Sequence, residues 1–182
     1  EFHLLTVAEH GDVLAEVMEK GKDKVLASVL EEMPRVNEPL AEIWIAQSLP
    51  KKDKMDTVIQ KCTEIGVVGF MPFVSARTVV KYDSQKEQKR LQRWQKIDKE
   101  AAEQSRRNRL PIIYPPCTLD ELLERMDSFH LALFCYEQER KNGIKSRLRT
   151  WRQSETQEEA TPLRLLLIVG PEGGFTEQEA DR

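Results

Sequence analysis

A glycine-rich turn directly follows an apolar stretch near the end of the sequence. Leu165–Val169 consists of strand-forming residues, and the next five residues, Gly170–Gly174, read GPEGG. Glycine lets a backbone adopt a positive φ or approach another group closely, and proline fixes its own φ. The turn therefore has two interpretations. Gly173 and Gly174 either shape the end of a strand, or they let main-chain groups meet a nucleoside ligand while Glu172 faces a cation or a polar edge.

Three further segments carry basic side chains at the ends of predicted elements: QSLPKKDKMD, SARTVVK and AAEQSRRNR. Helix N-termini favour anions, but each segment could also be a solvated loop or complement a helix dipole. Together with the glycine turn, the four segments favour one shared anionic ligand with many phosphates, and RNA fits this better than a small nucleotide. Their basic residues are Lys51, Lys52, Lys54, Arg77, Lys81, Arg106, Arg107 and Arg109.

The charge distribution supports the same interpretation. The net charge is −3, yet residues 51–109 contain 15 Lys and Arg against 8 Asp and Glu. A basic block in an acidic protein is typical of either a solvated helix face or a surface that binds a polyanion.

Composition excludes several classes of protein. The chain has 182 residues, of which 40% are hydrophobic and 32% charged, as in ordinary globular domains. Its longest apolar run, Leu131–Tyr136, is too short to span a membrane, and the acidic N-terminus does not resemble a signal peptide. We therefore expect a cytoplasmic protein without a membrane partner. Three widely spaced cysteines and three histidines show no metal-ligand spacing, so we expect reduced thiols and no metal.

Periodicity predicts a small β element followed by an α/β domain. Residues 13–18 and 24–30 predict a β-hairpin, and residues 31–40 a linker. From Ala41 onward strands alternate with helices, as in a parallel sheet covered on both faces. Helix 53–65 carries the apolar stripe Met55, Val58, Ile59, Cys62 and Ile65 and stops at Gly66. The other predicted elements are strands 42–49, 67–73, 110–114, 130–136 and 163–169, and helices 86–104, 118–126 and 144–151, with a last helix from Thr176.

From about Ala41 onward the sequence resembles the ribosomal RNA small-subunit methyltransferase E family, which belongs to the knotted SPOUT methyltransferases. The resemblance rests on SLPKKDKMDTVIQKCTEIGV, FVSARTVVK, RWQKIDKEAAEQSRR, CYEQE and LLLIVGPEGGFTEQE, in this order. It implies a SPOUT-type trefoil-knotted parallel sheet flanked by helices over residues 41–182. It also implies a partial PUA-like β-barrel over residues 1–36 that helps to bind RNA. The family continues into a second glycine- and arginine-containing loop, so the C-terminal part of the knot is expected to be missing from this sequence.

The resemblance also implies an activity: methylation of N3 of a uridine in bacterial 16S ribosomal RNA by a homodimer that uses S-adenosylmethionine and no metal. The RNA partner would be 16S ribosomal RNA or the small ribosomal subunit. Residues implied to bind the cofactor are Tyr136, Glu137, Ile168, Gly170, Glu172, Gly173 and Gly174. Residues implied to bind RNA are Lys51, Lys54, Arg77, Lys81, Arg93, Gln104 and Arg106. Candidates to accept the proton from N3 are Glu103 and Glu172.

Two alternatives remain open at the level of sequence. A non-catalytic RNA-binding protein would use the basic block for phosphates and the glycine turn only as structure. An α/β enzyme acting on a small nucleotide would use the anion site near Pro50, although no phosphate-loop motif is present. If the turn is a ligand cradle, Gly173→Val is expected to abolish most cofactor binding.

Overall fold

The computed structural model describes residues 3–8, 11–33, 38–79, 84–141, 143–154 and 162–182. Its first part is an antiparallel sheet of three strands, β1 (His3–Ala8), β2 (Gly11–Lys20) and β3 (Val25–Met33), in that order. A tight turn joins β2 to β3, in which Gly21 N–H donates to Lys24 O at 2.8 Å. The predicted hairpin is confirmed. The predicted linker begins later than residue 31, because Glu31 and Glu32 extend β3 and pair with Leu14 and Val13.

The second part is a parallel sheet flanked by helices, which confirms the α/β class. Every pair of strands in this sheet is parallel, and the strand order is β6-β5-β4-β9-β8, with β7 also pairing with β5. Its strands are β4 (Glu42–Ser48), β5 (Gly69–Val74), β6 (Ile112–Ile113), β7 (Cys117–Thr118), β8 (Leu131–Cys135) and β9 (Arg164–Val169). The helices are α1 (Lys54–Glu64), α2 (Ser84–Gln104), α3 (Leu119–Leu123), α4 (Ile144–Ser154) and α5 (Glu177–Ala180).

Side chains of β4 alternate between two apolar cores, one on each face of the sheet. Trp44 and Ala46 pack with α3 on one face, while Ile45 packs with α1 and α2 on the other. The central strands β4 and β5 are buried along most of their length, as expected. In β9, by contrast, only Leu166 and Ile168 are buried and the other four residues are half-buried. The expected burial on both faces therefore holds for the centre of the sheet.

The helix α1 shows where the sequence pattern was right and where it was wrong. Gly66 has φ of +103° and follows the helix, as predicted, and a side chain there would overlap Pro39. Ile65, however, is 76% exposed, and Thr63 is buried in its place. The hydroxyl of Thr63 donates to Asp98 of α2 at 2.6 Å. A polar contact between two helices thus occupies a position that the apolar stripe alone did not predict.

The order of strands reverses next to β4. The chain leaves β4 for β5 and the short edge strands on one side, and then returns through β8 and β9 on the other side. Ligands of open α/β sheets bind where the strand order reverses, outside the carboxyl ends of the strands. In this chain that point lies between the ends of β4 and β9. Among the described residues, no helix is both long and apolar enough to cross a membrane.

Candidate functional site

Four loops meet at the end of the sheet where its parallel strands terminate, here called the carboxyl edge. The turn 170–174 follows β9, residues 49–53 follow β4, residues 75–78 follow β5, and Tyr136 with Glu137 follows β8. Because the strands are parallel, the loops that follow them lie at the same edge. Two of the three basic segments predicted from the sequence are therefore brought to the glycine turn.

Hydrogen bonds from two side chains fix the carbonyl groups of the turn 170–174. Gln47 of β4 donates from Nε2 to Gly170 O at 3.1 Å. Arg77 donates from its guanidinium to Gly173 O at 2.7 Å. Within the turn, Gly174 N–H donates to Pro171 O at 2.9 Å. The main chain of the turn is thus held in one conformation by its own bond and by side chains from β4 and from the loop after β5.

The carboxylate of Glu172 is bound to the segment that follows β4. It accepts a hydrogen bond from Lys54 Nζ at 2.8 Å and one from the Lys51 N–H at 3.1 Å. The bond from Lys54, together with the backbone N–H groups of Glu172 and Lys51, lowers the pKa of Glu172 to about 2. Glu172 is therefore ionised at any physiological pH, and it already faces a cation of the same chain.

The two glycines at the end of the turn differ in their surroundings. Gly174 has φ of +66°, and a Cβ atom there would overlap the carboxylate of Glu137. Gly173 has no positive φ, and a Cβ atom there would meet Arg77 Cβ and Cδ at 3.5 Å, an ordinary contact distance. The expected positive φ is therefore confirmed for Gly174 and wrong for Gly173, while an approach of either glycine to a ligand stays a prediction.

A buried aromatic ring and a helix cap anchor the chain that follows the turn. Phe175 is fully buried, and its ring centroid lies 4.1 Å from that of Phe134 and 6.3 Å from that of Phe73. Thr176 and Glu179 form the predicted capping box, and Glu179 also accepts a hydrogen bond from Ala76 N–H at 2.7 Å. The start of α5 is thereby tied to the loop after β5.

Tyr136 lies in an acidic environment close to the turn. Partial burial raises the pKa of its phenol, and the carboxylates of Glu177, Glu137 and Asp181 raise it further, while Arg77 lowers it. Tyr136 and Glu137 are therefore placed beside the turn, as the resemblance implied. Ile168 is fully buried in one of the apolar cores, two residues before the turn.

A cluster of hydroxyl groups joins the ends of β4 and β5. Ser48 Oγ lies 2.8 Å from Ser75 Oγ and 2.9 Å from Thr78 Oγ1, and Thr78 Oγ1 accepts the Ser75 N–H at 2.9 Å. Sequence reasoning missed these residues and Gln47. A signal was available in the sequence, because polar residues lie at the end of each of these buried strands. Buried polar residues are hydrogen-bonded, so contacts among them could have been expected.

The basic residues of the carboxyl edge differ in how far they are already paired. Lys54 is bound to Glu172, and the guanidinium of Arg93 lies 2.5 Å from Asp56 and 3.5 Å from Asp53. The side chain of Lys51 is exposed. Lys81 lies outside the described residues.

The fourth predicted segment lies at the opposite end of the sheet, here called the amino edge. Helix α2 follows β5 and runs back along the sheet, so its C-terminus lies near the starts of the strands. Arg107, just after α2, is buried and donates to Thr63 O at 2.8 Å and Val67 O at 2.9 Å, next to the start of β5. Within one chain, the amino edge therefore holds three of the predicted site residues away from the glycine turn: Glu103, Gln104 and Arg106.

The described part of the chain contains no group of three or more His, Cys, Asp and Glu side chains that could hold a metal ion. Cys62, Cys117 and Cys135 are separate, half-buried thiols.

Comparison with known proteins gives consistent matches. The family model described as RNA methyltransferase domain matches residues 36–182. Ribosomal RNA small subunit methyltransferase E of Bacillus subtilis (strain 168) is 41% identical over 167 residues, which are 92% of this chain and 64% of that protein. The protein of the same name from Synechocystis sp. is 34% identical over 154 residues, 84% of this chain and 47% of that protein.

A solved structure agrees with these matches. The crystal structure of a ribosomal RNA small subunit methyltransferase E from Neisseria gonorrhoeae bound to S-adenosyl methionine has a TM-score of 0.73 and 30% identity, covering 93% of this chain and 65% of that chain. This chain thus spans between about half and two thirds of the length of the relatives it matches.

Proposed function

This chain belongs to the RNA methyltransferase domain family, and we propose that it methylates N3 of a uridine in bacterial 16S ribosomal RNA with S-adenosylmethionine. The observation that carries the proposal is the turn 170–174, a glycine turn fixed at the strand-order reversal and present in a chain of this family. The names of the relatives support the ribosomal RNA substrate, and the structure from Neisseria gonorrhoeae supports the cofactor.

The side chains beside the turn fit S-adenosylmethionine, which carries a sulfonium and an ammonium group. The pKa of Tyr136 is raised by burial and by the nearby carboxylates of Glu177, Glu137 and Asp181. An aromatic ring and surrounding carboxylates stabilise a cation. Tyr136, Glu137 and the main chain of the turn 170–174 would therefore hold the cofactor.

The proposed reaction is a direct displacement. When bound, the cofactor would supply an electrophilic methyl group, with the electron pair of the broken C–S bond left on the sulfur. Uridine N3 loses its proton, and its electron pair forms the new N–C bond. The protein contributes by aligning the two reactants, because fixed orientation removes much of the entropic barrier. The turn 170–174 and Tyr136 are the residues we assign to this alignment.

We further propose how the rest of the chain serves this activity. Residues 1–36 would form part of a PUA-like barrel that grips RNA, and residues 41–182 would form a SPOUT-type knotted domain that acts as a homodimer in the cytoplasm. Exposed basic residues would contact phosphates. At the carboxyl edge these would be Lys51 and Arg93, and Lys81 would add a further phosphate contact.

The decisive experiment measures cofactor binding and methyl transfer separately. Calorimetric titration with S-adenosylmethionine is expected to give saturable heat, and 16S ribosomal RNA from a strain lacking the protein is expected to gain one methyl group on incubation with both. Mass mapping of the product locates the methylated uridine. RNA binding without any heat from the cofactor would instead identify a non-catalytic RNA-binding protein.

A further inference from the structure

The turn 170–174 is held by side chains from three other segments of the chain. Gln47 reaches it from β4, Lys54 from the start of α1 through Glu172, and Arg77 from the loop after β5. We infer that Gln47, Lys54, Glu172 and Arg77 are positioning residues that fix this turn for the cofactor, and that Glu172 is not the proton acceptor. The inference rests on the proposed function and deepens it.

Geometry supports this role for Glu172. Its carboxylate binds Lys54 and the Lys51 N–H, so it connects the end of β9 to the segment that follows β4. A general base works best when its pKa lies near the working pH. The ion pair with Lys54 holds the pKa of Glu172 at about 2, which leaves it little affinity for a proton.

Arg77 is directed at the turn by a well-fixed loop. Its guanidinium donates to Gly173 O, and its alkyl chain lies beside Gly173. The loop itself is held by the hydroxyl cluster of Ser48, Ser75 and Thr78. Because this loop is fixed, Arg77 holds the carbonyl of Gly173 in one position. We therefore expect that a change at Arg77 shifts the turn and alters cofactor binding.

Gln47 holds the other end of the turn. It pairs in register with Val169, the last residue of β9, and its side chain is 7% exposed. Its amide donates to Gly170 O and Ser48 O at 3.1 Å and 3.0 Å. A polar side chain at the end of an otherwise apolar strand is explained by these two bonds.

A double-mutant cycle on Lys54 and Glu172 tests the inference. Lys54→Met and Glu172→Gln are each expected to weaken S-adenosylmethionine binding about two- to fivefold, as for a partly exposed ion pair. The double variant is expected to lose no more than one single variant, because both changes break the same contact. Turnover at saturating cofactor is expected to fall far less than the hundredfold or more that loss of a proton acceptor would cause.

The chain offers a closely matched control in another ion pair. Lys61 and Glu64 lie 2.9 Å apart with side-chain exposures of 61% and 28%, against 2.8 Å, 60% and 32% for Lys54 and Glu172. Lys61→Met is therefore expected to leave cofactor affinity unchanged. Arg77→Lys, which keeps one donor, is expected to retain more cofactor affinity than Arg77→Ala.

Several outcomes would overturn the inference. A loss of roughly a hundredfold or more in turnover for Glu172→Gln, with unchanged cofactor affinity, would identify Glu172 as the proton acceptor. Additive losses in the cycle would show that Lys54 and Glu172 act independently. Weaker RNA binding by Lys54→Met with normal cofactor affinity would make Lys54 an RNA contact.

A second measurement separates this inference from the proposed function. If the unchanged protein gives no heat with S-adenosylmethionine, the proposed function fails, and hydrogen exchange of the Gly173 and Gly174 amides then decides the positioning role. Faster exchange in Lys54→Met and Glu172→Gln, but not in Lys61→Met, supports it. Equal exchange in all variants refutes it.

Discussion

At the scale of single residues, Gly173 and Gly174 show that adjacent glycines in one turn can have different requirements. Gly174 has a positive φ and lies against the carboxylate of Glu137, whereas Gly173 has room for a methyl group beside Arg77. The expected effect of Gly173→Val on cofactor binding stays a prediction, whereas at Gly174 a side chain would both strain the backbone and displace Glu137.

We predict that Gly174→Ala destabilises the protein by about 1 kcal/mol and weakens cofactor binding, because alanine is disfavoured at positive φ. Gly173→Ala is the matched control for stability and is expected to change the melting temperature without cofactor very little, because its Cβ would meet Arg77 at an ordinary contact distance. Melting temperatures with and without S-adenosylmethionine measure both effects. If Gly174→Ala melts lower but keeps the full shift with cofactor, the turn is only structural.

Asp98 gives a prediction on the pH dependence of stability. Burial raises its pKa to about 6 from the usual 3.8, although the Thr63 hydroxyl and Arg107 oppose the shift. The folded state therefore binds more protons than the unfolded state between about pH 4 and 6, and this contribution to stability is lost as pH rises through that window. We predict that the free energy of unfolding of Asp98→Asn, measured against that of the unchanged protein, is higher at pH 8 than at pH 4 by about 1–3 kcal/mol. Urea unfolding at both pH values measures the difference, and parallel pH profiles would contradict it.

At the scale of elements, two neighbouring arginines just after α2 have opposite roles. Arg107 is buried and binds the carboxylate of Glu38 at 2.6 Å as well as two backbone carbonyls. Arg106 is exposed and has φ of +54°. Arg107 therefore joins the segment before β4 to α1 and β5, while Arg106 faces solvent at the amino edge.

We predict that Arg107→Met lowers the free energy of unfolding by about 3–5 kcal/mol, because it leaves the carboxylate of Glu38 without its buried partner. Arg106→Met is expected to change the same quantity by less than about 0.5 kcal/mol, as surface substitutions usually do. Urea denaturation of the two variants measures this. Similar losses for both variants would show that the ion pair between Arg107 and Glu38 does not cause the loss of stability.

At the scale of the whole molecule, the order of strands decides which basic segments share a surface with the turn 170–174. The segments after β4 and β5 reach the carboxyl edge, whereas Arg106 lies at the far end of α2, a helix of 21 residues and thus roughly 30 Å long. An RNA that touches both Lys51 and Arg106 must extend along this helix.

We predict that Lys51→Ala and Arg106→Ala each flatten the dependence of log K for RNA on log salt concentration by roughly 0.7–0.9, the effect of one lost phosphate contact. Lys61→Ala is a suitable control, since Glu64 already neutralises that charge. Filter binding over a range of salt concentrations gives the slopes. A change for Lys51 with none for Arg106 would restrict the RNA surface to the carboxyl edge.

The sequence by itself determined the local elements and the position of the glycine turn. The helix stop at Gly66 and the capping boxes at Thr118 and Thr176 depend on residues a few positions apart, and all three are present. Buried apolar runs indicated parallel strands, which placed the turn at their carboxyl ends.

Only the tertiary structure decided which side chains meet at that turn. Glu172 binds a lysine 118 positions earlier in the chain, and Gln47 binds a carbonyl 123 positions later. Such contacts depend on β9 lying beside β4. The distance of Arg106 from the turn depends on α2 running back to the amino edge. Local periodicity carries no information on strand order, because the same apolar runs can be arranged in several sheets. The structure therefore separated Arg106 from the turn and paired Lys54 with Glu172, which no pattern in the sequence could do.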